Sequence, residues 1–110
     1  MRASPDDGET RTALAQALTG TGRWAEAAAA WMEVVRLRPR GVDAWIRLAV
    51  TLGRSGRGSE AIGALERALE LEPDRAAALG QLAALAAERG DPDSAIALYD
   101  RAILADPEYA

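Results

Sequence analysis

Gly53-Arg54-Ser55-Gly56-Arg57-Gly58-Ser59 is the one stretch of this 110-residue chain whose residue types could cradle an anion. Its glycines and arginines precede a helix start, where backbone N–H groups can meet a phosphate. It lacks the Lys-Ser/Thr ending of a phosphate-binding loop. Gly56 also shares a column with Gly22 and Gly90, so a turn between two helices is the stronger reading. Asp91 with Asp93, and Asp6 with Asp7, could attract a metal, but all four fall at helix starts, where carboxylates cap N–H groups and meet the helix dipole. The chain has no Cys and no His, and its 13 basic residues are all Arg. That removes disulfides, thiolates, the commonest metal ligand and the usual general base. No acid–base constellation converges, so we expect no enzyme within these residues and no cofactor or metal.

The formal net charge is −4, with both signs interspersed. A nucleic-acid surface would need clustered basic charge, so no nucleic-acid partner is expected. The opening Met-Arg-Ala-Ser-Pro-Asp-Asp-Gly-Glu-Thr is polar and acidic, unlike a signal peptide, and no apolar run is long enough to span a bilayer. The expected location is cytoplasmic.

The elements that would position any site follow a fixed period. Pro39, Pro73 and Pro107 lie 34 residues apart, as do Gly22, Gly56 and Gly90, and Ala27, Ala61 and Ala95. A period of this length marks a stacked repeat. Each unit reads as two amphipathic helices separated by Gly and ended by Pro. The expected helices are Glu9–Thr19, Arg23–Leu37, Asp43–Arg54, Ser59–Leu71, Ala76–Arg89 and Pro92–Leu104. Their apolar faces carry Leu14, Ala15 and Leu18; Ala27, Trp31, Val34 and Val35; Trp45, Leu48, Ala49 and Leu52; Ala61, Leu65, Ala68 and Leu69; Leu79, Leu82, Ala83 and Ala86; and Ala95, Tyr99, Ala102 and Ile103, all at helical spacing. Trp24 fits no core column and is read either as a local staple or as a contact residue. No strand signal is present. The fold class is therefore all-α: a right-handed α-solenoid of three antiparallel helix-turn-helix repeats over 8–41, 42–75 and 76–109, after a lead-in over 1–7.

These columns resemble the tetratricopeptide repeat. Its 34-residue unit has a large residue early in the first helix, then Leu-Gly/Ala, then Ala, an aromatic and Pro in the second half. Trp45 and Leu79 hold the early large position, and Arg11 departs from it. Leu14-Ala15, Leu48-Ala49 and Leu82-Ala83 match the pair, and Trp31, Leu65 and Tyr99 form the bulky column. The resemblance covers residues 8–109. It implies a module that binds a protein or peptide in a concave groove lined by the first helix of each pair.

By that resemblance the groove residues are Thr12 and Gln16 in the first repeat, Asp43, Ile46, Arg47, Val50 and Arg54 in the second, and Ala77, Gln81 and Ala84 in the third. Ile46 and Val50 are expected to be exposed and to want a cover. Relatives that hold the acidic C-termini of chaperones use a clamp of Lys, Asn and Arg. The matching places here are Thr12, Gln16, Arg47, Ala77 and Gln81, of which only Arg47 is cationic, so an apolar segment is the expected ligand. The alternatives are a self-assembling structural repeat and an accessory domain of an enzyme whose catalytic part lies outside these residues. The third hairpin has no polar-faced helix after it, so this chain is expected to be a segment of a longer array or of a larger multidomain protein. Leu85, Ile96, Tyr99 and Ile103 are expected on its uncovered face, where a homo-oligomer would form.

Overall fold

The computed structural model describes residues 8–108, so the lead-in and the caps expected from Asp6 and Asp7 lie outside the described residues. Six helices follow one another: α1 (Gly8–Gly20), α2 (Trp24–Leu37), α3 (Val42–Arg54), α4 (Gly58–Leu71), α5 (Ala76–Glu88) and α6 (Pro92–Ala105). Each boundary falls within one residue of the expected one, and no strand occurs among the described residues.

The turn inside each hairpin has a single chemistry. Gly22, Gly56 and Gly90 have φ of 75°, 82° and 80°, the left-handed region that a Cβ disfavours. The next residue donates its N–H back to a carbonyl of the preceding helix: Arg23 to Leu18 (3.1 Å), Arg57 to Leu52 (2.8 Å) and Asp91 to Ala86 (2.9 Å). This is a Schellman termination, which satisfies carbonyls the helix end would otherwise leave open. α6 then starts from Asp91, whose carboxylate accepts the Ser94 N–H at 3.2 Å, with Pro92 in the first turn.

The three hairpins α1–α2, α3–α4 and α5–α6 stack in chain order. α2 packs on α3, α4 on α5, and the first helices α3 and α5 also touch. The result is an all-α helical-repeat solenoid, 49 × 25 × 21 Å. Small residues sit where the helices meet: Ala15, Ala27, Ala61 and Ala83 are fully buried, and Ala49 and Ala95 nearly so. Trp31 fills the middle of the first hairpin and donates its Nε1–H to the Thr19 hydroxyl at 3.0 Å, which satisfies its one polar atom. A smaller cluster of Ala76, Leu79 and Ala102 holds α5 to α6.

Leu14, expected on a core face, is open instead, and Tyr99 and Ile103, expected both on the apolar face of α6 and on the uncovered side of the third hairpin, are open too. Leu14 is 54% exposed, Tyr99 44% and Ile103 55%. Leu48, one period after Leu14, is 4% exposed because α2 covers it. Leu14 lies on the first hairpin and has no preceding hairpin against it among the described residues. Tyr99 and Ile103 are in the same position at the other end of the stack.

Candidate partner-binding cleft

A cleft of about 180 Å³ runs between α3 and α5, with Leu65 of α4 at its base. Ala49, Val50, Gly53 and Arg54 form one wall, and Gln81, Ala84, Leu85 and Glu88 the other. The walls face each other because α3 and α5 are the first helices of successive hairpins and run side by side. Apolar Val50, Ala84 and Leu85 line its length, while Arg54 and Glu88 put opposite charges near its end.

Arg54 is held there from behind. Its guanidinium lies over the Trp24 ring, 5.3 Å from the centroid. Trp24 is half-buried at the start of α2, so this contact joins the first hairpin to the second. Trp24 is therefore a local support for a cleft residue.

The structure brings Val50, Arg54, Gln81 and Ala84 together and leaves the other groove residues elsewhere. Thr12 turns its hydroxyl back to the Gly8 carbonyl at 2.7 Å, and Gln16 is exposed on α1. Asp43 is tied to Arg75, which also donates to Glu72 at 3.2 Å. Glu72 first and then Asp43 hold the Arg75 guanidinium above its ordinary pKa. Arg47 is exposed, and Ala77 is half-buried against the core. Ile46 is not exposed as expected: it is 9% accessible and belongs to the main core. α3 is flanked by α2, α4 and α5, so a wider arc of it is covered than a single apolar stripe would predict. Leu85, expected on the end face, lines the cleft.

Glu88 escaped the sequence reading. The available signal was the period, because Glu88 lies one repeat after Arg54 in the last turn of the first helix. A second depression, of about 470 Å³, was also missed; it lies outside the cleft, where Met32, Val35 and Pro39 face Trp45, Leu48 and Leu52. Trp45 donates its indole N–H to the Pro39 carbonyl at 2.8 Å, and Arg67 lies over its ring at 5.5 Å.

The glycine-rich turn does not present an anion cradle. The Gly56 and Arg57 N–H groups bond to Gly53 and Leu52 carbonyls, at 3.1 and 2.8 Å. Arg57 grips Glu60 with two hydrogen bonds of 2.8 and 2.6 Å, which lowers the Glu60 pKa. Among the described residues no group of three or more Asp and Glu is placed to hold a metal ion, and no helix is long and apolar enough to cross a membrane.

Two sequence profiles, both described as tetratricopeptide repeat, match residues 54–110 and 12–63. No curated protein shows a matching sequence. Among solved structures, MamA MSR-1 C2 is similar with a TM-score of 0.87 at 24% identity, over 97% of this chain and 62% of that one. A crystal structure of MamA gives 0.88 at 19% identity over 96% and 61%. The chain thus spans about three fifths of these MamA structures, and at such identities the likeness is one of fold. With one profile matching over half the chain and the other most of the remainder, the chain belongs to the tetratricopeptide repeat family.

Proposed function

We propose that this chain is a protein-interaction module whose α3–α5 cleft takes a short, mainly apolar segment of a partner protein. The observation that supports this is the convergence of Val50, Ala84 and Leu85 between Arg54 and Gln81, on the wall where the family binds peptides. An apolar strip with a charged end orients a peptide: the strip supplies area, and Arg54 and Glu88 choose direction by pairing with the peptide's own charges. Acidic chaperone tails are poor ligands on this reading, since Asp43 and Glu88 are anionic and Arg47 is the only cation among the clamp positions.

Titration calorimetry tests the reading with two probes. A chaperone acidic-tail peptide is expected to show no appreciable heat, and micromolar binding of it would refute the assignment. A peptide selected from a random library for binding the wild-type chain is expected to lose affinity to Val50→Asp with Ala84→Asp. Unchanged affinity would place the binding surface elsewhere. Both positions are half-buried on the cleft wall, so the pair is gentler on the fold than any change at core Ile46.

A second reading, self-association, is favoured by the apolar end of α6, where Ile96, Tyr99 and Ile103 are all exposed beside Leu104. Monomers seldom leave such a cluster open. The module reading and this one are compatible, because the cleft and the end of the stack are different surfaces.

A further inference from the structure

The internal period says what shape covers the open end. At the first junction, Met32, Val35 and Pro39 of α2 and its C-terminal turn share a depression with Trp45, Leu48 and Leu52 of α3. Two periods on from the α2 side stand Asp100 and Ile103 of α6 and Pro107 in the turn after it, all exposed. One period back from the α3 side stand Arg11, Leu14 and Leu18, on α1. Ile103 and Leu14 are both more than half exposed, whereas their counterparts Val35 and Leu48 are 6% and 4% exposed. Each open face is therefore the repeat-equivalent of one side of a junction already built in this molecule.

The columns carry a second signal. The α2-side column reads Met32, Glu66, Asp100, and the α3-side column reads Arg11, Trp45, Leu79. The first internal junction brings Met32 and Trp45 into one depression. Setting the two open faces together in that register would bring Asp100 to Arg11. Residues of opposite charge, Arg11 and Asp100, thus stand at equivalent places on the two open faces. Arg11 departs from the large apolar residue of its column, and the departure makes it complementary to Asp100. A guanidinium has five donors, so a pairing with Asp100 adds to the contacts Arg11 makes within its own chain.

From this juxtaposition we infer that the exposed face of α6 is covered by α1 of a second copy of the chain, stacked head to tail in the register of the internal junctions, with Leu14 set against Ile103 and Arg11 paired with Asp100. This rests on the self-association reading and commits it to one geometry. A symmetric pairing of two α6 faces would instead set two Asp100-bearing faces against each other and leave Leu14 open. Because the contact joins different faces, it does not close on itself, and assemblies should lengthen as concentration rises.

The test uses the full 110-residue chain in sedimentation velocity over a concentration series, with circular dichroism to check that each variant keeps its helix content. Wild type is expected to grow beyond a dimer. Leu14→Glu loses the α1 face and keeps the α6 face; Ile103→Glu does the reverse. Each alone is expected to be monomeric, and an equal mixture to form a one-to-one dimer. Both positions are exposed, so neither change attacks the core. Arg11→Glu or Asp100→Arg alone should weaken association by about tenfold or more, and the two combined in one chain should restore it. A wild type that stays monomeric throughout would overturn self-association altogether. Association of wild type with a mixture that stays monomeric, or a Leu14→Glu chain that still dimerises, would overturn the head-to-tail geometry alone. An unrestored double charge swap would overturn the register.

Discussion

The Arg54 guanidinium lies 5.3 Å from the centre of the Trp24 ring, a contact that spans two hairpins and ends at the cleft. Arg54 is exposed, so without the ring its side chain would sample many rotamers. The ring therefore sets where the cleft's positive charge sits. Trp24→Ala is expected to weaken a library-selected cleft peptide severalfold and to cost about 0.5–1 kcal/mol of stability for the lost cation–π contact, with the packing of the half-buried ring lost in addition. Calorimetric titration and urea unfolding measure the two effects. Full affinity in the variant would mean that Arg54 needs no such support.

The turn glycines separate conformational from steric cost. A Cβ on Gly56 would meet nothing within 4 Å, yet φ there is +82°. Gly56→Ala should then destabilise the chain by roughly 1–2 kcal/mol through backbone strain alone. Gly63, inside α4, also has open space around its missing Cβ but has no positive φ. Gly63→Ala should stabilise by about 0.4–1 kcal/mol, because the unfolded chain loses freedom. Urea unfolding of the two variants should give shifts of opposite sign.

The buried alanine columns have no room to spare. Ala27 and Ala61 are fully inaccessible where paired helices meet. Ala61→Leu is expected to cost roughly 1–3 kcal/mol by overpacking. A neutral result in chemical denaturation would mean that the α3–α4 hairpin can separate without penalty.

Acid should weaken the start of α6. The Ser94 side chain, and then its backbone N–H, hold the Asp91 carboxylate below its ordinary pKa. The folded state thus favours the charged form, while the unfolded chain takes up a proton first as pH falls. Stability from this cap is present above the ordinary carboxylate range and is lost as pH falls through the lowered value. Melting curves of wild type and Asp91→Ala should be furthest apart near neutral pH and converge in acid. A gap that is constant with pH would show that the charge of Asp91 does not contribute.

Much of the fold was legible because its signals are local and recur. Gly22, Gly56 and Gly90 mark left-handed turns by residue type, and Pro39, Pro73 and Pro107 end second helices because the residue before proline leaves the helical region. The cleft was legible in part. Val50, Arg54, Gln81 and Ala84 follow from the repeat columns, and Glu88 lay in the same column as Arg54.

The sequence by itself determined which residues share a column, since a strict period gives equivalent positions equivalent places in each hairpin. Only the tertiary structure decided which members of a column are covered. Leu14 and Leu48 are the same residue in the same repeat position, yet one is open and the other buried, because α2 packs on α3 and no described helix precedes α1. Ile46 went the other way: its place suggests the groove, but neighbours on three sides draw it into the core. Periodicity is a property of the chain, whereas burial is a property of what stacks against each face, and contacts between hairpins settle it.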